Sequence, residues 1–81
     1  MNVSVQLFAR ARDLAGSERV SVDVPDDATV GDVRAALVRE YPALEPIASS
    51  LLVAVDADYA TDSKRLEQGQ VVACFPPVSG G

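Results

Sequence analysis

Histidine is absent from this 81-residue sequence, and Cys74 is its only cysteine. With no imidazole, a hydroxyl–histidine nucleophile pair is excluded. A zinc site is not expected from one thiol and no histidine. A lone cysteine also rules out an internal disulfide, so nothing suggests a secreted, cross-linked scaffold. Aromatic residues are scarce: two phenylalanines and two tyrosines, so valine, leucine and alanine must supply most of the core. Basic charge is short as well. Seven basic residues stand against twelve acidic ones, for a net charge of −5. No basic stripe is visible, which argues against nucleic-acid binding. An acidic domain repels phosphorylated small molecules, so an anionic substrate belongs in a partner's pocket. No apolar run approaches the roughly 18 residues that span a bilayer. The opening MNVSVQLFAR lacks the basic start and long apolar stretch of a signal peptide. The expectation is a cytoplasmic protein with no membrane partner.

What remains is one small domain with nearly half its residues apolar, enough to fold around a single core. Val3, Val5 and Leu7 alternate with Ser4 and Gln6 as in a half-buried strand, which leaves Phe8 on the polar side. ARARDLAG reads as a short helical turn or loop closed by Gly16. Val20, Val22 and Val24 form a second alternating run, ended by Pro25. Thr29 and Asp32 mark a helix start, and Val30, Val33, Leu37 and Tyr41 recur at helical spacing until Pro42 stops it. ALEPIASS is expected to be a connector with at most one short turn. LLVAV is a third strand. DADYATDSKRLEQGQ holds turns and a short edge strand, with Leu66 tucked inward and Gly69 making the last turn. QVVACF is the final strand, and Pro76 ends its pairing because it has no N–H.

Two strands, a helix and further strands predict an α+β domain of the β-grasp type. Its mixed sheet of four to five strands carries one main helix across one face. The first and last strands lie parallel at its centre. The expected division is a folded domain over residues 1–75 and a flexible, extended tail over 76–81.

That tail is the sequence's most pointed feature. Pro76 and Pro77 favour a stiff polyproline exit, and Val78, Ser79, Gly80 and Gly81 follow. Six residues reach up to ~20 Å. Two glycines at an end arise by chance in roughly one chain in 200, so alone they say little. After a stiff lead they offer a bare carboxylate fit for a narrow channel. We read Gly81 as the working group, activated by another enzyme. Phe8 and Phe75 are candidate anchors of a partner surface, since adjacent first and last strands would bring the rings together.

Other candidates are weaker. Cys74 reads as a small apolar strand residue, with no neighbour to make it reactive. Asp56, Asp58 and Glu67 have the spacing of a calcium loop, but the analogy fails at Ala60, and again at Thr61, where the sharp turn needs glycine. Asp26 and Asp27 read as solvated loop residues. Lys64, the only lysine, reads as a surface residue with a possible partner contact. No catalytic residues and no metal ligands are assigned to this chain.

The stretches VQLFARARDLAG, ATVGDVRAALVREYP and LEQGQVVACFPPVSGG together resemble the MoaD family, the small sulfur-carrier subunit of molybdopterin synthase. The resemblance covers nearly the whole chain, and FPPVSGG is its most specific part. It implies a ubiquitin-like β-grasp fold and no bound cofactor. It implies that an activating enzyme uses ATP to adenylate the carboxylate of Gly81, and that a sulfur donor protein converts it to a thiocarboxylate. The tail from Pro76 to Gly81 then enters the large catalytic subunit. There it gives sulfur to a cyclic pyranopterin phosphate, in a heterotetramer with one small subunit at each end. Phe8, Arg12 and Phe75 match family positions near partner surfaces. Asp56 stands where many relatives carry Asn, and Cys74 where an aromatic or aliphatic residue is common. The same tail also suits a sulfur carrier for thiamine or cysteine synthesis, or a ubiquitin-like protein modifier. A non-catalytic interaction module is a fourth reading.

Overall fold

The computed structural model describes residues 1–77. Its elements run β1 (Asn2–Leu7), α1 (Ala9–Ala15), β2 (Arg19–Asp23), α2 (Val30–Glu40), a 3-10 turn (Pro42–Leu44), α3 (Glu45–Ala48), β3 (Leu52–Val55), β4 (Asp58–Tyr59) and β5 (Val71–Phe75). The five strands form one sheet in the order β2-β1-β5-β3-β4. β1 and β5 are parallel, with Val5 beside Val72 and Leu7 beside Cys74, while β1–β2, β3–β5 and β3–β4 are antiparallel. This is the β-grasp arrangement expected from the order of elements, with β5 at the centre. No helix among the described residues is long and apolar enough to cross a membrane.

The inward parity of each strand supplies one side of the core: Val3, Val5, Leu7, Val20, Val22, Val53, Val55, Val72 and Cys74 are buried. α2 lays Val30, Val33, Ala36 and Leu37 across them. The helix begins in a reciprocal cap. The Thr29 hydroxyl accepts from the Asp32 N–H at 3.4 Å, and the Asp32 carboxylate accepts from the Thr29 N–H at 2.9 Å. Two further N–H groups of its first turn are met by the chain before β5. Val30 N donates to Lys64 O at 2.9 Å and Gly31 N to Asp62 O at 3.0 Å. Leu66 N donates back to Ala28 O at 2.9 Å, which fixes this loop and buries Leu66.

The connector after α2 is more ordered than its composition implies. Tyr41 N still bonds Leu37 O, and Pro42 then opens a 3-10 turn that leads directly into α3. Pro42 and Pro46 each sit in the first two positions of their short helices, where a missing N–H costs nothing. Arg34 anchors this region. Its guanidinium donates to the carbonyls of Ala48 and Leu51 and to Asp62 Oδ1 at 2.9 Å. One largely buried side chain thereby ties α2 to the end of α3, the start of β3 and the loop before β5.

The β3–β4 hairpin turns through Asp56 and Ala57, at φ 49° and 75°. Two consecutive left-handed residues are what a two-residue type I′ turn requires, and the second position strongly favours glycine. Alanine there is strained by about 1–2 kcal/mol. We expect Ala57→Gly to stabilise the domain by about 1 kcal/mol net of its larger chain entropy, raising Tm by roughly 4–8 °C in a thermal melt. A fall in Tm would mean that the turn is not strained.

At the other edge, the register of β1 with β2 and the reciprocal bonding of Met1 with Val24 turn the backbone groups of Arg19, Ser21 and Asp23 outward. The Ser17 hydroxyl donates to Arg19 O at 2.9 Å, and Arg39 donates to Asp23 O at 3.3 Å. Side chains thus occupy two of the three carbonyls that an added strand would use.

Candidate functional site

α2 leaves the second face of the sheet uncovered, and that face is divided by chemistry. On β1 and β2 it carries Ser4, Gln6, Arg19, Ser21 and Asp23. On β5, β3 and β4 it is apolar. The outward parity of β5 presents Val71, Ala73 and Phe75, that of β3 presents Leu52 and Ala54, and Tyr59 lies opposite Ala54. Tyr59 is 75% exposed, Val71 49%, Leu52 41% and Phe8 38%, values high enough for all four to be reached by a docking partner.

Phe8 does not continue β1. It caps α1 with extended backbone (φ −122°, ψ 151°), and its N–H donates to Cys74 O at 3.2 Å. That bond holds Phe8 beside the end of β5. Its ring stacks on Phe75 with centroids 4.7 Å apart and planes 11° from parallel. Tyr59 meets Phe75 edge-on at 6.4 Å. Three aromatic rings therefore converge where β5 ends, around a groove of about 540 Å³. Stacked and edge-on pairs each add about 0.5–1.5 kcal/mol beyond area burial, so the rings hold one another in place. The one carboxylate lining the groove, Asp56, is engaged by Val71 N at 3.0 Å and Gln70 Nε2 at 3.2 Å. The surface thus offers apolar area with little free charge.

The strand ladder ends at the Leu52–Phe75 pair, and Pro76 and Pro77 follow at once. The start of the tail is therefore fixed at the aromatic cluster. Val78, Ser79, Gly80 and Gly81 lie outside the described residues. Arg12 is not brought into the cluster. It sits one turn along α1, half-exposed, 3.6 Å from Asp13, and lines a separate shallow hollow with Gly16, Ser17 and Glu18.

The sequence reading missed Tyr59. The signal was present in β3 and β5, whose residues are apolar at both parities, as in strands covered on both faces. Placing Tyr59 on that face required the hairpin register, and Asp-Ala is a poor turn signature.

Cys74 is buried at the centre of the sheet. Burial pushes its thiol pKa up from 9.0 to about 11, partly offset by the positive charge of Arg34. It stays a protonated, inert thiol at neutral pH, as its apolar surroundings suggest. The unfolded chain releases this proton near pH 9 and the folded chain only near pH 11. Its contribution to stability is complete below pH 9 and is lost as pH rises to 11, about 2–3 kcal/mol in all. Urea unfolding of the parent and Cys74→Val from pH 8 to 11 should show the parent losing that much more stability than the variant. Parallel curves would refute the assignment. Among the described residues no cluster of acidic, histidine or cysteine side chains is arranged to hold a metal ion.

The chain resembles known proteins over nearly its whole length. A family model described as the ThiS family matches residues 5–81. The molybdopterin synthase sulfur carrier subunit of Arabidopsis thaliana is 35% identical over 81 residues, covering 100% of this chain and 84% of that protein. The small archaeal modifier protein 1 of Haloferax volcanii is 40% identical over 84 residues, covering 94% of this chain and 97% of that one. A crystal structure of that protein matches with a TM-score of 0.87 at 36% identity, covering 95% of this chain and 98% of its own.

Proposed function

The chain belongs to the ThiS family, and from that membership we propose that it is the sulfur carrier of molybdopterin synthase, acting through the carboxylate of Gly81. The observation that carries the reading is the position of the tail's root. β5 ends at Phe75 inside the aromatic cluster, so a partner bound to the open face receives the tail at a fixed place.

The chemistry follows from the carboxylate. A carboxylate is a poor acyl donor until an oxygen becomes part of a leaving group. Attack on ATP gives the Gly81 acyl adenylate and pyrophosphate. Hydrosulfide delivered by a donor protein then attacks the acyl carbon, AMP leaves with the electron pair of the acyl–phosphate bond, and loss of the S–H proton leaves a thiocarboxylate, a softer, better nucleophile than the original. The carrier then docks on the large catalytic subunit with the tail from Pro76 to Gly81 at a cyclic pyranopterin phosphate, where the thiocarboxylate sulfur forms a C–S bond and water cleaves the acyl–sulfur bond, leaving sulfur on the pterin and restoring the Gly81 carboxylate. Two deliveries complete a dithiolene. Acid–base and phosphate-binding groups come from the partners, in a heterotetramer with a carrier at each end. Phe8, Phe75 and Tyr59 anchor the docked face. Arg12, on a different part of the surface, contacts the rim, and negative charge steers approach to basic pockets.

A second reading is favoured by the 40% identity to a small archaeal modifier protein, namely that the activated Gly81 is joined to lysines of other proteins. Intact mass of the protein from its own cells separates the two. A gain of sulfur minus oxygen, abolished by deleting Gly81, supports the carrier. An unmodified mass with Gly81-linked adducts on other proteins favours the modifier. Adding the large subunit and the pterin precursor then distinguishes this pathway from carriers serving thiamine or cysteine synthesis.

A further inference from the structure

Lys64 is the only lysine in the sequence, and among the described residues it has no ion-pair partner. Its side chain is exposed, yet its backbone is fixed. Lys64 O accepts from Val30 N at 2.9 Å, and Lys64 N donates to Thr61 O at 3.1 Å. The residue lines an open hollow of about 540 Å³ with Asp56, Asp58, Thr61 and Gln70. Tyr59 borders both this hollow and the groove of the apolar face, so an amine stands at the rim of the face proposed to dock on partners. The α-amino group at Met1 is engaged, donating to Val24 O at 2.7 Å and pairing with Asp26 at 3.2 Å.

We propose that Lys64 is an acceptor site for the activated carboxyl group of a second copy of this chain, giving a Gly81–Lys64 isopeptide. The inference rests on activation of Gly81 as described above, and it adds an amine as the competing nucleophile. The amine, once it has lost its proton to water or to a carboxylate of the same hollow, attacks the glycyl carbonyl of the acyl adenylate. A C–N bond forms, the acyl–phosphate bond breaks, and AMP leaves with the electron pair. No electrons are transferred and no other reagent is needed. The donor is a second copy because of where β5 points. Asp56 and Gln70 stand beside the first residue of β5, and the tail leaves after its last. At about 3.3 Å per residue the strand carries the tail some 13 Å from the hollow, and Pro76 and Pro77 resist a reversal.

The test uses the full chain isolated from its own cells as parent and as Lys64→Arg, which keeps the charge and removes the nucleophile. Tryptic mapping of the parent is expected to give a branched peptide in which residues 66–81 are joined through Gly81 to Lys64. The corresponding covalent dimer should survive thiol reductant and hydroxylamine, as an amide does and a thioester does not. It should vanish in Lys64→Arg while the C-terminal thiocarboxylate remains. A dimer of unchanged abundance in Lys64→Arg overturns the assignment. So does a parent that carries the thiocarboxylate, and is therefore activated, but has no branch at Lys64. That second result leaves the carrier reading intact.

Discussion

Replacing Phe8 and Phe75 together by alanine is expected to weaken binding to the large catalytic subunit by two to three orders of magnitude. Each ring is a partly exposed aromatic in an uncharged patch, and anchors of this kind contribute about 2 kcal/mol or more. Two such losses amount to about 4 kcal/mol, or roughly a thousandfold. The rings touch, so their effects are coupled and the sum is an upper bound. Titration calorimetry with the large subunit measures the change directly. The fold should survive, because neither ring belongs to the buried core. The variant loses both aromatic pairs, the stacked Phe8–Phe75 and the edge-on Tyr59–Phe75, about 1–3 kcal/mol together, visible in urea unfolding. Tyr59→Ala should weaken binding in the same direction by a smaller factor, since its ring meets only Phe75 edge-on. Unchanged affinity in the double variant, with the fold intact, would remove the open face from the docking surface.

Adding a single alanine after Gly81 is expected to abolish thiocarboxylate formation and pterin sulfuration, with no measurable change in unfolding. The fold has no stake in that position, since the described core ends with β5. The chemistry has every stake in it. The added residue moves the carboxylate by about 3.5 Å and places a methyl group beside it. Near-attack geometry tolerates far less, and a misplacement of 1 Å can cost a hundredfold. Mass spectrometry for the sulfur-for-oxygen exchange, with a check that the alanine is not trimmed away, reads the result. Sulfuration at the parent rate by the untrimmed chain would refute the role of Gly81.

How much of this was legible in the residues differs by element. α2 was fully legible, because the Thr29–Asp32 cap, the spacing of Val30, Val33 and Leu37 and the stop at Pro42 are all local signals. β1 and β2 were legible from alternation, and their burial follows it residue by residue, while β5 was legible as the last apolar run, ended by Pro76. The connector after α2 was under-read. Two prolines suggest a break, yet at first-turn positions they begin short helices. That Phe8 and Phe75 would come together was expected from the parallel pairing of the first and last strands, although Phe8 reaches the cluster as the cap of α1 and not as a strand residue, and the stacked geometry is visible only in the structure. Tyr59 was not legible because its place depends on a register set by two left-handed residues that the sequence does not advertise. The clamp made by Arg34 was equally hidden. Its three partners are scattered between residues 48 and 62, and only tertiary structure gathers them.

The guarded rim of β2 matters for a sulfur carrier whose apolar face must stay available to its partner. An adhesive broad side is useful only if the border cannot zip onto other chains, because cross-strand polymers are effectively irreversible. Ser17 and Arg39, by occupying the carbonyls of Arg19 and Asp23, close that route without an added helix or loop. Along this rim, encounters then favour side-chain contacts over backbone pairing. A shuttle that hands its cargo on and returns for more depends on letting go.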